Sequence, residues 1–191
     1  NLYTGNGTAI GSGGKAVTGV GFKPDWSWIK NRDAADSHSL YDLVRGTTKQ
    51  LESDNGAAET TEAESLTTFG TDGFTVGSLA QVNTNTEDYV SWNWLGSNST
   101  STTSPAGSLA STSTVASAGH FSVVSYTGTG SATTIGHGLG AKPDLIIIKG
   151  RGNAINWPIY STPTTATKVF YLDLTNDPAT SGVQQWNDTE P

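Results

Sequence analysis

The chain has 191 residues, a net charge of −7 and no cysteine. Without cysteine it forms no disulfide framework and no thiolate metal site, and its negative field repels nucleic acid. No apolar run approaches the ~18 residues of a membrane span, so we expect no membrane insertion. Twenty-three glycines favour turns and short strands, while six Trp, six Tyr and five Phe supply an apolar core. We therefore expect an all-β protein.

Six runs of β-branched and aromatic residues, bounded by Gly, Pro, Asn or Asp, predict strands. In chain order they are 26–30, 74–76, 89–95, 121–126, 145–149 and 169–172. These lengths of 3–8 residues are typical of strands in antiparallel sheets.

The third of these strands alternates apolar and polar residues. Val90, Trp92 and Trp94 share one face, which is the pattern of a half-buried strand. We expect Trp92 and Trp94 to be largely buried, together with Trp28 and Ile29 of the first strand.

Residues 97–119 contain no charged side chain, and 13 of these 23 residues are Ser or Thr. Such a segment offers little apolar surface for a core. We interpret it as a linker.

The sequences on either side of this linker resemble each other. GFKPDWSWIKNR at 21–32 matches GAKPDLIIIKGR at 140–151, an offset of 119 residues. Several matches at one offset indicate an internal repeat. The shared positions, which we expect to be structural, are Pro24, Asp25, Lys30, Arg32, Tyr41 and Lys49 in the first copy and Pro143, Asp144, Lys149, Arg151, Tyr160 and Lys168 in the second.

The repeat predicts two tandem antiparallel β-sandwiches of lectin or jelly-roll type, at 1–96 and 120–191, joined by the linker at 97–119. The second copy is truncated, since it has no counterpart of 89–94. We expect a longer parent chain beyond both ends. We also expect the open sheet of the second copy to be covered in a homo-oligomer or polymer, through edge contacts of residues 165–191 or the first few residues.

No pattern in the sequence predicts catalysis. The three histidines, His38, His120 and His137, accompany no Gly-x-Ser-x-Gly motif. The acidic residues between 42 and 64 are typical of a solvated face, and Asp42 aligns with an uncharged serine in the second copy. We predict that the chain is not an enzyme and has neither a cofactor nor a metal site.

Exposed aromatic rings are the usual surface on which proteins stack sugars. Trp26 and Trp28 align with Leu145 and Ile147, and aliphatic side chains replace core residues but not a stacking surface. We therefore interpret these two tryptophans as core. The remaining candidates for glycan binding are Trp157, Tyr160 and Tyr41.

Four motifs stand in order: GFKPDWSWIKNR at 21–32, LYDLVRG at 40–46, DGFTVG at 72–77 and YVSWNW at 89–94. Together they resemble the repeated domain in structural proteins of marine and cyanobacterial tailed phages. In the second copy, SYTGTG, HGLG and WNDT are similar to its sister repeat.

This resemblance implies a tail-fibre-like or capsid-decoration protein at the virion surface, an extracellular location. Such a protein spaces or presents a host-adhesion surface, with other virion proteins and host surface glycan as partners. A secreted bacterial filament and a glycan-binding β-sandwich module are the alternatives that the sequence leaves open.

Overall fold

The computed structural model describes residues 1–101, 107–180 and 186–191. Strands account for 35% of the chain and helices for 4%, and the paired strands run antiparallel. The prediction of an antiparallel all-β protein is confirmed. The many glycines and hydroxyl side chains favour turns, so the chain reverses direction after each short strand.

The strands are named here in chain order, among the residues that the structure describes. They are β1 (Leu2–Thr4), β2 (Lys15–Val17), β3 (Trp26–Asn31), β4 (Ser39–Asp42), β5 (Gly46–Leu51), β6 (Thr60–Thr61), β7 (Leu66–Gly70), β8 (Gly73–Val76), β9 (Asp88–Trp94), β10 (Ser111–Val115), β11 (Ser122–Tyr126), β12 (Leu145–Ile147), β13 (Pro158–Ser161), β14 (Lys168–Tyr171) and β15 (Ala179–Thr180). A one-turn helix, α1, covers Ala80–Asn83, and a 3-10 turn covers Ile10–Ser12. The six strands predicted from the sequence correspond to β3, β8, β9, β11, β12 and β14.

The chain divides into two compact units. The first comprises Asn1–Gln50 and Thr61–Gly140, and the second comprises Leu51–Thr60 and Ala141–Pro191. These limits differ from the domain boundaries predicted from the repeat. A segment of the first repeat belongs to the second unit, and the predicted linker belongs to the first.

Among the described residues, the first unit contains the small sheet β10-β11 and two larger sheets. One has the strand order β1-β9-β3-β4-β5-β6, and the other has the order β2-β8-β7. A buried apolar cluster draws its side chains from both sheets and from α1: Val17, Ile29, Tyr41, Leu66, Phe74, Val76, Val82 and Tyr89. Burial of these side chains away from water is the main stabilising contribution to this unit.

The inward face of β9 is the opposite of the predicted one. Tyr89 and Ser91 are buried, whereas Val90, Trp92 and Trp94 alternate with them on the other face. Trp92 is 46% exposed, and Trp94 is only partly buried. The prediction of a largely buried side chain is wrong for Trp92, whereas Trp94 is partly buried against Trp26.

Hydrogen bonds among the inward-facing polar side chains explain why β9 buries this face. Ser27 Oγ donates to Asn93 Oδ1 at 2.8 Å, and Asn93 Nδ2 donates to Ser91 Oγ at 3.0 Å. Small polar side chains that form hydrogen bonds with one another lose little free energy on burial. On β3, Ile29 is fully buried as predicted, but Trp28 is only partly buried.

The segment interpreted as a linker contains β10, which pairs with β11. Three of its hydroxyl side chains, Ser111, Ser113 and Thr114, are buried. Short hydroxyl side chains therefore fill part of this interior, and Thr114 Oγ1 is satisfied there by a hydrogen bond of 2.7 Å to Asp25. Residues 102–106 of the predicted linker lie outside the described residues.

The second unit contains a sheet with the order β12-β13-β14-β15. The buried apolar side chains of the second unit, among the described residues, are Leu51, Trp157, Ile159, Tyr160, Ala166 and Val169. The hairpin β12–β13 has the same register as β3–β4, shifted by 119 residues: Leu145 lies opposite Ser161, and Trp26 lies opposite Asp42. The two sequence copies thus form hairpins of equal register.

One edge of the second sheet is open among the described residues. There β12 pairs only with β13, whereas its counterpart β3 lies between β9 and β4. Leu145 on β12 is 57% exposed. The other edge strand of this sheet, β15, pairs only with β14 and lies within the predicted region 165–191, and β1, which contains the first few residues, is an edge strand of the large sheet. Edge contacts between copies in these regions stay a prediction. Residues 181–185 of that region lie outside the described residues.

Candidate functional site

The face of the large sheet that turns away from the apolar cluster carries four tryptophans. Trp26 lies opposite Trp94, and Trp28 lies opposite Trp92, in the antiparallel pairing of β3 with β9. Directly opposed residues project to the same side of a sheet. Two alternating Trp-x-Trp segments therefore form one block of indoles. We call this block, with Phe121, the aromatic face.

One end of the aromatic face is closely stacked. The rings of Trp26 and Trp94 are 4.4 Å apart between centroids and are inclined by 29°. Phe121 lies 5.8 Å from Trp26 and nearly parallel to it, at 8°. The stacked rings cover one another at this end. Phe121, which lies just before β11, completes the stack.

The other end is open. Trp92 meets Trp28 edge to face, at 6.1 Å and 67°, and Trp92 is the more exposed of the two indoles. Edge-to-face packing leaves ring surface uncovered and in contact with solvent. Trp92 is therefore the accessible part of the aromatic face.

A histidine fixes the neighbouring indole. Trp28 Nε1 donates a hydrogen bond to His38 Nδ1 at 2.8 Å. That bond requires an unprotonated Nδ1, so the proton of a neutral imidazole is on Nε2. The rings also meet edge to face at 5.7 Å. The orientation of Trp28 is thus set by a hydrogen bond as well as by packing.

A buried carboxylate anchors the strands that bring Phe121 to the aromatic face. Asp25, just before β3, accepts hydrogen bonds from Thr114 Oγ1 at 2.7 Å and from the backbone N–H of Gly96 at 2.8 Å. It also accepts from the N–H of Asn98 at 3.2 Å. Because Thr114 lies on β10, Asp25 ties the β10–β11 hairpin to the start of β3.

A cleft of about 310 Å³ adjoins the exposed indole. Its walls combine apolar and polar groups: Val20, Phe22, Trp92, Trp94, Ser91 and Asn93. None of the described side chains that line it is charged, and the backbone nitrogen of Asn1 donates to Ser91 O at 2.7 Å. The volume lies at the lower end of the range of small-molecule sites, which is ~300–1,000 Å³.

A known protein family matches the whole of this sequence. A family model described as a domain of unknown function, DUF7483, matches residues 1–191. The chain belongs to the DUF7483 family. No curated protein and no solved structure matches it. In the part of this DUF7483 chain that the structure describes, no helix has the length and apolarity to cross a membrane.

The three glycan candidates from the sequence do not lie at the surface. Tyr41 and Tyr160 are fully buried, and Trp157 is 4% exposed. Burial raises the pKa of the Tyr41 hydroxyl well above its usual range. Trp157 Nε1 donates to the backbone oxygens of Glu52 and Asn55. A buried ring offers no face to a sugar, so these three predictions are corrected.

The shared repeat positions form structural contacts in both copies. Pro24 and Pro143 are both buried. The N–H of Leu43 donates to Asp25 O at 2.8 Å, and the N–H of Thr162 donates to Asp144 O at 3.0 Å. These two bonds are related by the offset of 119 residues and close the same turn in each hairpin.

The repeated basic residues are also structural. Lys49 Nζ donates to Thr61 Oγ1 and Lys168 Nζ to Thr180 Oγ1, again at equivalent positions. Lys30 and Lys149 both donate to backbone oxygens of the loop that follows their strand. Arg32 and Arg151 pair with Asp88 and Glu59, respectively.

The histidines and carboxylates do not assemble a metal site in the described residues, where no group of three or more His, Asp or Glu side chains has suitable spacing. Asp42 forms an ion pair with Arg45. His120 is exposed beside a turn, and His137 Nδ1 accepts from the N–H of Leu139 at 3.2 Å. Asp42, His120 and His137 therefore do not form a common site.

Sequence reasoning missed two parts of this site. The sequence offers His38 only as a candidate catalytic base, and it places Phe121 only in a strand. The pattern that points to the aromatic face is the second Trp-x-Trp segment, because two such segments on paired strands must share a face. Which face of the sheet they occupy follows only from the structure.

Proposed function

We propose that the chain is a non-enzymatic structural module of a virion surface, in a tail fibre or a capsid decoration, that spaces or presents a host-adhesion surface. The observation that carries this proposal is the duplicated hairpin, in which register and turn bonds repeat at an offset of 119 residues. Duplicated rigid elements are typical of proteins that span distance. The resemblance of the four motifs to phage structural repeats supports the same role.

The proposal includes a finer fold, a tandem pair of antiparallel sandwiches of lectin or jelly-roll type. It is supported in the first unit by the apolar cluster, which joins the six-stranded and three-stranded sheets. In the second unit, the equal hairpin register supports it. Sandwiches of this kind are common in virion and lectin domains.

Assembly into a homo-oligomer or polymer, alongside other virion proteins, is part of the same proposal. The open edge of β12 supports it, because an unpaired strand edge beside an exposed leucine is a surface for strand addition. The net charge of −7 argues against nucleic acid among the partners.

Immunogold electron microscopy tests the role. Antibodies raised against the chain are applied to particles purified from a lysate of the organism that encodes it. We expect gold at a regular position on the capsid or tail. Labelling of cell-attached filaments without labelling of particles would overturn the proposal and favour the secreted filament.

Glycan binding is the second candidate function. The specific observation that favours it is the 46% exposure of Trp92 beside a cleft. Contiguous exposed apolar patches mark interaction sites more often than single exposed residues do, and Trp92 adjoins Trp28 on the aromatic face. This candidate is compatible with the first, since a virion module that presents an adhesion surface needs a ligand-binding face.

A further inference from the structure

We infer that Asn55 is a site of spontaneous deamidation, whereas Asn6 is protected from the same reaction. Each of these residues is followed by glycine, and no other asparagine in the chain is. Asn55 lies in the segment 51–60 of the second unit, and Asn6 lies in the first unit. The inference goes beyond the proposed function and does not depend on it.

Deamidation is an attack of the backbone on a neighbouring side chain. The backbone nitrogen of the following residue loses its proton to hydroxide and bonds to Cγ of the asparagine, and the Cγ–Nδ2 bond breaks. The side-chain nitrogen takes a proton from water and leaves as ammonia. Water then opens the resulting succinimide to aspartate or isoaspartate, so that one water is consumed for each ammonia released. Glycine favours the attack because it has no side chain to hinder the approach.

The attacking nitrogen next to Asn55 is available. The N–H of Gly56 donates to no acceptor among the described residues, while its carbonyl oxygen accepts from Lys149 Nζ at 2.8 Å. Asn55 and Gly56 are both only partly buried, so that hydroxide and water reach them. The attack therefore breaks no hydrogen bond of this N–H group with the described part of the chain.

Two hydrogen bonds in the same loop stabilise the charge that the attack creates. A deprotonated amide shares its negative charge with the oxygen of its own peptide group, which here is Asn55 O. That oxygen accepts from Trp157 Nε1 at 3.0 Å. As the new bond forms, charge moves to Asn55 Oδ1, which accepts from the N–H of Ala57 at 2.8 Å. Donors that are in place where negative charge develops lower a reaction barrier.

Asn6 has a similar turn, but its attacking nitrogen is held. Asn6 Oδ1 accepts from the N–H of Thr8 at 3.0 Å, as Asn55 Oδ1 does from Ala57. The N–H of Gly7, however, donates to Asn83 O at 3.0 Å. The side chain of Asn83, which is fully buried, forms two further bonds with Asn6, of 2.8 and 3.1 Å. Attack at Asn6 requires local opening of these contacts, although Asn6 is the more exposed of the two asparagines.

Deamidation of Asn55 disturbs the contact that holds a buried indole. Asn55 Nδ2 donates to Glu52 Oε2 at 2.5 Å. A carboxylate at position 55 has no hydrogen to donate, and it adds a second negative charge beside Glu52. Because Glu52 and Asn55 both supply a backbone oxygen to Trp157 Nε1, their repulsion acts on this contact. We therefore expect the second unit to lose stability as the protein ages.

Peptide mapping by mass spectrometry tests the inference on the purified full chain, incubated in slightly alkaline buffer with and without urea. Deamidation at each site is followed as the mass gain from replacement of NH2 by OH. In the folded chain we expect Asn55 to react about tenfold faster than Asn6, because hydrogen bonds must first open at Asn6. In urea, which removes the surroundings of both sites, we expect similar rates.

The ratio of the two rates decides the outcome. An equal or faster reaction at Asn6 in the folded chain would overturn the inference. A ratio that is the same with and without urea would also overturn it, because the difference would then come from the local sequence alone. Circular dichroism establishes that the chain incubated without urea is folded.

Asn55→Asp tests the consequence of the reaction. We expect this variant to unfold at a lower midpoint temperature than the wild type, because of the repulsion from Glu52. Asn153→Asp adds the same charge at an exposed position of the second unit and is expected to leave the midpoint unchanged. Equal midpoints for Asn55→Asp and Asn153→Asp would show that deamidation does not weaken this unit.

Discussion

Thr114 Oγ1 donates a hydrogen bond of 2.7 Å to the buried carboxylate of Asp25, across 89 residues of chain. The same carboxylate accepts from the N–H groups of Gly96 and Asn98. Its counterpart in the second repeat, Asp144, is exposed and accepts from Thr162 Oγ1 at 2.9 Å. One repeated aspartate is therefore a buried anchor, while the other closes a turn at the surface.

Replacement of the two aspartates tests this difference. We expect Asp25→Ala to lower the free energy of unfolding by about 3 kcal/mol, because it leaves several buried donors without an acceptor. Asp144→Ala is expected to cost less than about 1 kcal/mol, since water replaces the lost contact. Urea denaturation of both variants measures the two values. Equal losses would contradict the anchoring role of Asp25.

Glycine at position 96 is required by the closeness of this anchor. A Cβ atom there would lie 2.5 Å from Thr114 Oγ1 and 3.0 Å from Asp25 Cγ, whereas a Cβ atom at Gly128 meets nothing within 4 Å. We expect Gly96→Ala to destabilise the chain by about 2 kcal/mol through overpacking. Gly128→Ala serves as the control and is expected to be neutral. Thermal unfolding of both variants measures their midpoint temperatures. Equal shifts of the two midpoints would contradict the prediction.

The hydrogen bond between Trp28 and His38 is expected to stabilise the aromatic face. His38→Leu removes the acceptor and should lower the free energy of unfolding by about 1 kcal/mol. His38→Gln keeps a carbonyl acceptor and should lower the free energy of unfolding by less. His120→Leu, at an exposed position, is the control and should change little. The measurement is urea denaturation followed by Trp fluorescence, and a loss from His120→Leu as large as that from His38→Leu would count against this bond.

Substitutions on the two faces of the large sheet are expected to lower the free energy of unfolding by different amounts. Ile29 is fully buried, so Ile29→Ala is expected to cost about 2–5 kcal/mol. Trp92→Ala is expected to cost less than about 1 kcal/mol, because nearly half of that side chain is already in water. Chemical denaturation of the pair checks this order. A larger loss from Trp92→Ala would place Trp92 in the core.

The second unit is expected to lose stability in acid through Glu190. Hydrogen bonds from Lys142 and Tyr160 lower the pKa of Glu190 from 4.5 to about 2. A folded-state pKa below the unfolded value adds stability above about pH 4.5, and this stability is lost as the pH falls towards 2. The difference in stability between wild type and Glu190→Gln should therefore shrink between pH 5 and pH 2. A difference that stays constant over this range would exclude the linkage.

Much of the local structure could be predicted from the sequence. The strands at Trp26–Asn31 and Asp88–Trp94 follow from β-forming residues bounded by turn residues, which is a local property of the chain. The repeat follows from matches at one offset, and the similar sequences form hairpins of equal register. These features depend on neighbouring residues, so they can be inferred without knowledge of the packing.

The candidate site was decided by the tertiary structure. An alternating strand defines two faces, but only the packing of a second layer determines which one is buried. Here Phe74 and Leu66 of the three-stranded sheet cover the side of Ile29. Hydrogen bonds join Ser27 and Ser91 on that side through Asn93, and the tryptophans remain on the outer face. Phe121 and Trp26 meet across 95 residues of chain, a contact that no local pattern encodes.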